Sequence, residues 1–87
     1  MAQITLPLLF QNETGGVRHT EVDGATVGDI IAGLESRYPG IGPRMAEDGK
    51  LTPIVAVTVD GKIAAEGLAT PVGPESEVCV FPSFGGG

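Results

Sequence analysis

Four consecutive apolar residues near the end of the chain, Val78-Cys79-Val80-Phe81, constrain its fold more than any other stretch. Successive side chains of an extended strand point to opposite faces, so Val78 and Val80 share one face while Cys79 and Phe81 share the other. A strand that is apolar on both faces belongs in the middle of a sheet. The final strand, read as Glu77 to Phe81, must therefore lie between strands that come earlier in the chain. Pro82 closes the run, and Ser83-Phe84-Gly85-Gly86-Gly87 follows it. Such an end cannot stabilise a fold, because each glycine loses more backbone entropy on ordering than any other residue and buries no side chain. What it offers is access: a chain without Cβ atoms threads a slot too narrow for other residues. Five extended residues reach at most about 17 Å, enough to enter a deep active site while the folded body stays outside. The expectation is a folded domain over residues 1–82 and a flexible, reactive tail over 83–87, with the terminal carboxylate as the functional group.

The elements that must surround the final strand can be read in order. Ile4, Leu6, Leu8 and Phe10 alternate with Gln3, Thr5 and Pro7, the pattern of a strand with one buried face. Pro7 lacks an N–H and must face away from a paired neighbour or sit at a bulge. Gln11 to Gly16 reads as a polar turn, and Val17 to Val22 as a returning edge strand with poor alternation. Thr26 is placed to cap a helix, with Asp29 three residues on in the manner of a capping box. Val27, Ile30, Ile31, Leu34 and Tyr38 then form one helical stripe, which Pro39-Gly40 ends. Gly28 and Gly33 inside this helix each cost about 1 kcal/mol against alanine, a cost that close approach to the sheet would explain. Residues 41–53 read as a connection with one short helical turn near Pro43–Glu47. Ile54 to Val59 is a β-branched run, Asp60-Gly61 a strong hairpin signal, and Lys62 to Ala64 its short return. Leu68 and Val72 are placed to pin the loop before the last strand. One amphipathic helix covers only one face of such a sheet, so an apolar patch is expected on the other, beside the root of the tail.

Charge and composition narrow the function. Five basic against eleven acidic side chains give a net charge of −6 with no basic stripe, which argues against nucleic-acid binding and suits steering toward a basic partner surface. The single cysteine, Cys79, excludes an internal disulfide and any multi-cysteine metal site. No apolar run approaches the ~18 residues of a membrane span. Met1-Ala2-Gln3 lacks the positive start of a signal peptide, so a cytoplasmic protein is expected.

No set of residues assembles into a catalytic constellation. Cys79 reads as a small buried hydrophobe and His19 as a solvated strand residue without partners. Glu75 and Glu77 read as a solvated loop, and Gly15-Gly16 lacks the Lys-Ser/Thr of a phosphate loop. The chain is therefore expected not to be an enzyme and to hold no metal.

With these residues in view, the sequence resembles the small ubiquitin-like sulfur carriers of the MoaD, ThiS and CysO group. The resemblance lies in Leu68-Ala69-Thr70-Pro71-Val72, in Glu77-Val78-Cys79-Val80-Phe81-Pro82 and in the terminal Gly86-Gly87. Tyr38-Pro39-Gly40-Ile41 through Lys50-Leu51 is similar to the longer-loop members, nearer CysO and some MoaD-like proteins than the shorter ThiS. The chain departs from the group at Pro74-Glu75-Ser76-Glu77, where an Asp-Gly-Asp-type turn is frequent, and in the extra Gly85. The resemblance implies an α+β, β-grasp (ubiquitin-like) fold, a mixed sheet of four or five strands packed on one main helix. It also implies a carrier that binds no cofactor itself. A ubiquitin-activating-type adenylating enzyme, similar to ThiF and MoeB, uses MgATP to turn the Gly87 carboxylate into an acyl adenylate. A sulfur donor protein or sulfide then leaves a thiocarboxylate, and a biosynthetic acceptor enzyme takes the sulfur for cysteine, molybdopterin, thiamin or a secondary metabolite. In that scheme Gly85 and Gly86 thread the partner's active site, while Phe81, Pro82 and Phe84 meet its mouth. Two alternatives share these residues: a protein modifier joined through Gly87 to lysines, and an adaptor that would keep its activity without Gly86-Gly87.

Overall fold

The chain opens with β1 (Ala2–Thr5), and the computed structural model describes residues 1–83. Ala2 and Ile4 are buried on one face of β1, and Leu6 continues the alternation inward. The strand was expected to run on to Phe10, yet it ends at Thr5. Pro7 cannot donate to a ladder, and the chain instead tightens into a 3₁₀ turn at Leu8–Phe10, closed by the Phe10 amide donating to the Pro7 carbonyl (3.2 Å). Three residues per turn replace the strand's period of two. Phe10 stays buried, but Leu8, expected inside, is 59% exposed. The polar segment after it is a helical turn, α1 (Gln11–Thr14), stopped by Gly15 in the left-handed region (φ 68°). Then β2 (His19–Val22) returns antiparallel to β1 with Ala2 opposite Val22, an edge strand as its polar sequence implies.

The main helix, α2 (Val27–Arg37), begins where the sequence indicates. The Asp29 amide donates to Thr26 Oγ1 (3.2 Å), while the Asp29 carboxylate accepts from the Ala25 amide (3.1 Å), one residue earlier than in the usual capping box. Val27, Ile30, Ile31 and Leu34 are buried, and the Tyr38 amide closes the last turn on the Leu34 carbonyl (2.7 Å). A Cβ on Gly33 would collide with Val22 Cγ1, so this glycine allows α2 to lie directly on β2. Residues 41–53 hold more structure than one turn. After α3 (Gly42–Met45), β3 (Ala46–Glu47) and β4 (Lys50–Leu51) form a small hairpin around Asp48-Gly49, both in the left-handed region (φ 54° and 76°).

The second large hairpin joins β5 (Val55–Val59) to β6 (Lys62–Ile63) through Asp60-Gly61, whose positive φ values of 52° and 83° are those a two-residue turn of this type demands. A 3₁₀ turn at Gly67–Ala69 and the buried Val72 lead to β7 (Glu77–Pro82). The five strands lie in the order β2-β1-β7-β5-β6, with β7 parallel to β1 and antiparallel to β5. The last strand is thus the central one, and the fold is the β-grasp. Ile4, Val57, Val59, Val78 and Val80 join the α2 stripe in one buried cluster.

The opposite face of the sheet carries no helix, and its apolar part is narrower than expected. The register aligns His19, Thr5, Cys79, Thr58 and Ile63 in one row across it, and Phe81 beside Ala56 in another. Gln3, Thr5, His19, Glu21, Thr58 and Glu77 divide this surface, and its large exposed apolar side chains stand apart, Phe81 at 48% near the end of β7 and Ile63 at 74% on β6.

Candidate functional site

The site is built around the exit of the chain from β7. On one side β5 accompanies β7 to its last residue, Val55 opposite Pro82, and the Ser83 amide adds one more bond to the Ile54 carbonyl (2.8 Å). On the other side β1 pairs only as far as Thr5 opposite Cys79, because the chain turns away at Pro7. Val80, Phe81 and Pro82 therefore run past the end of their neighbour. A groove of about 420 Å³ opens there between Pro7-Leu8-Leu9 and Val80-Phe81-Pro82. Arg18 stands on its rim, fixed by reciprocal bonds with Leu6. Its Nε–H donates to the Leu6 carbonyl (2.7 Å), and the Leu6 amide donates to its carbonyl (2.7 Å).

The other end of β7 is clamped. The Asp60 carboxylate accepts from the Glu77 amide (2.9 Å) and from the Ser76 hydroxyl (2.8 Å), while Ser76 Oγ accepts from the Gly73 amide (2.8 Å). The Asp60 amide also donates to the Glu77 carbonyl (2.7 Å). These bonds, first the Glu77 amide and then the Ser76 hydroxyl, stabilise the ionised carboxylate and hold Asp60 below the usual range, outweighing a small opposing effect of desolvation. The strand is thus anchored at its start and left open along one edge at its end.

Of the residues singled out in the sequence, Phe81 and Pro82 line the groove. Phe84, Gly85, Gly86 and Gly87 lie outside the described residues. Cys79 is half-buried on the open face beside a second recess shared with Thr58 and Phe81. His19 lies 3.4 Å from Thr5 Oγ1. Among the described residues no group of three His, Cys, Asp or Glu side chains is placed to hold a metal ion. Sequence reasoning missed Leu8, Arg18 and the Asp60–Ser76 pair. Pro7 was the available signal for the first, because a proline ending a strand frees the edge of its partner. Arg18 reaches the groove only through the β1–β2 register, which has no local signature.

Comparison with known proteins agrees with this geometry. A sequence model of the ThiS family matches residues 9–87. The sulfur carrier protein CysO of Mycobacterium tuberculosis is 30% identical over 89 residues, covering 97% of this chain and 96% of the relative. Small archaeal modifier protein 3 of Haloferax volcanii is 40% identical over 67 residues, 75% of this chain and 73% of that protein. Among solved structures, a chain of the Amycolatopsis orientalis BexX/CysO complex superposes with a TM-score of 0.91 at 30% identity, covering 100% of both chains. A central last strand, an open edge at its exit and a family match that runs through Gly87 agree, and the chain belongs to the ThiS family.

Proposed function

We propose that this chain is a sulfur carrier whose Gly87 carboxylate is converted to a thiocarboxylate. The observation that carries the reading is that the family match extends through Gly87 itself, the residue that would react. A carboxylate has no leaving group. A partner adenylating enzyme of the ubiquitin-activating type therefore joins it to AMP, with MgATP as co-substrate and pyrophosphate released. Hydrosulfide attacks the acyl carbon directly; where a donor protein's persulfide attacks instead, the acyl disulfide formed is cleaved by a second donor thiol, which leaves a disulfide on the donor and frees the thiocarboxylate. With hydrosulfide the C–S bond forms as the C–O bond to AMP breaks, leaving the thiocarboxylate, AMP and a proton. An acceptor enzyme then takes the sulfur into a biosynthetic product.

The chain's own part is presentation rather than catalysis. β7 is held by β1 and β5, so the body fixes the point from which Ser83 departs, and Phe81 and Pro82 form the collar a partner meets. Gly85 and Gly86 are the residues that enter the partner's slot. No helix among the described residues is long and apolar enough to cross a membrane, and the proposed setting is the cytoplasm, where ATP is available.

The test is intact mass spectrometry of the chain after incubation with the activating enzyme of its own organism, MgATP and sulfide. Exchange of one oxygen for one sulfur on the free chain is the expected result; an unchanged mass with an active enzyme overturns the reading. The identity with small archaeal modifier protein 3 favours a second reading, conjugation through Gly87 to lysines. A ladder of heavier conjugates in cell lysate, absent when Gly87 is removed, would support it.

A further inference from the structure

We infer that the groove beside the end of β7 receives this chain's own last four residues, with the Phe84 ring against Pro7 and Leu8 and the Gly87 carboxylate on Arg18. The inference rests on the reading of Gly87 as the reactive terminus and adds a resting position for it.

Three observations converge. The first is the free edge. Because β1 stops at Thr5, the residues from Val80 to Pro82 lack a strand on that side, and an unpaired edge is a template for an extended segment. The second is the chemistry of the walls. They are apolar except for Thr5 and Arg18, and Arg18 is their one charged residue. Its Nε is committed to the Leu6 carbonyl, which leaves the two terminal nitrogens of the guanidinium as donors. Among the described residues no carboxylate forms an ion pair with it, although the chain carries eleven acidic side chains. A guanidinium fixed at an apolar groove is suited to bind a carboxylate through paired hydrogen bonds. The third is reach. Ser83 is tied to the Ile54 carbonyl (2.8 Å) and Pro82 already lines the groove. Four further residues extend up to about 14 Å. Read outward, they present one aromatic ring and then three glycines ending in a carboxylate, the order in which the groove presents its apolar wall and its cation. The reversal of direction this requires falls at Ser83–Phe84, so that the three glycines, which reach up to about 10 Å when extended, run back toward Arg18.

Other occupants are less favoured. Two copies of a chain with net charge −6 repel one another. A tethered segment competes at an effective concentration in the millimolar range, which an untethered one must exceed. Binding of the tail in this groove lowers the fraction of carrier ready for adenylation, and the activating enzyme draws the tail out as it binds.

The experiment is nuclear magnetic resonance of the isotope-labelled full chain without partners. Nuclear Overhauser contacts from the Phe84 ring to Pro7 and Leu8 are expected, and Leu8→Ser, a change at an exposed position, should remove them. Resonances of Leu6, Val80 and the Arg18 Nε–H should differ between the full chain and a chain ending at Ser83. Because Arg18→Gln also removes the bond to Leu6, its effect is read at Val80, which truncation should shift less in the Arg18→Gln background than in the parent. Absence of the ring contacts, or identical Leu6, Val80 and Arg18 resonances in the full and truncated chains, overturns the inference. The carrier reading fails separately. Thiocarboxylate formation without ring contacts sinks only the resting position, and ring contacts without thiocarboxylate formation sink only the carrier.

Discussion

Gly33 and Gly28 lie on the same helix and answer differently to the same substitution. Alanine gains about 1 kcal/mol of helix preference at either position. At Gly33 the new Cβ meets Cγ1 of Val22, the last residue of β2, which is buried beneath α2. Overpacking of this kind costs about 1–3 kcal/mol, so Gly33→Ala should lower stability by about 1 kcal/mol net. At Gly28 the nearest atom is the Leu68 carbonyl oxygen at 3.3 Å, in a 3₁₀ turn that can shift by a few tenths of an ångström, and Gly28→Ala should fall within about 0.5 kcal/mol of the parent. Urea midpoints of the two variants check the contrast. Asp60 offers a second test at this scale. Its folded-state pKa is held below the ordinary value of an aspartate by the Glu77 amide and the Ser76 hydroxyl. The ionised form therefore favours the folded chain: its contribution is present above that value and is lost as pH falls through the lower folded value. Asp60→Asn keeps a residue that tolerates positive φ but removes the charge. The stability gap between parent and variant should be widest near neutral pH and should narrow as the pH falls through the ordinary aspartate value and on through the lower folded one. A gap constant over that range would show that the charge does not contribute.

At the level of elements, the sequence was legible where one residue sets a local geometry. Thr26 and the i, i+3, i+4, i+7 stripe defined α2, and Asp60-Gly61 defined the β5–β6 hairpin. The same signal stood at Asp48-Gly49, but the flanking strands have two residues each, too short for alternation to mark them. The β1 pattern misled for the opposite reason. Ile4, Leu6, Leu8 and Phe10 alternate over a length that suits a strand, yet a 3₁₀ turn after Pro7 buries Phe10 by a different route and leaves Leu8 outside. A period of two and a change of period look alike over so few residues. The N-terminus of α2 gives the test for this scale. Thr26→Ala removes the acceptor of the Asp29 amide while Asp29 keeps its bond to Ala25, so a loss of about 1 kcal/mol is expected in chemical denaturation. A loss below a few tenths would mean that Asp29 alone caps the helix.

For the molecule as a whole, the division of labour between body and end is the property most open to measurement. That Phe81 and Pro82 close the last strand was legible because an apolar run meets a proline, whereas the place of Arg18 in the groove they line was not, since only the pairing of β1 with β2 brings it beside β7. Among the described residues every buried hydrophobic residue of the core lies between Ala2 and Val80, and β7 is anchored at both ends by bonds among residues up to Ser83. A chain ending at Phe84 therefore retains the whole described core, and its urea midpoint should match that of the full chain to within about 0.5 kcal/mol. The same chain should form no thiocarboxylate in the activating reaction. Its new carboxylate sits next to the anchored Ser83, too short to enter a partner's slot while the body stays outside. If the truncated chain were destabilised by more than about 1 kcal/mol, the three glycines would belong to the fold, and the loss of sulfur transfer would no longer distinguish presentation from folding. If stability holds and transfer vanishes, the body's role is reduced to positioning an end whose chemistry belongs to its partners.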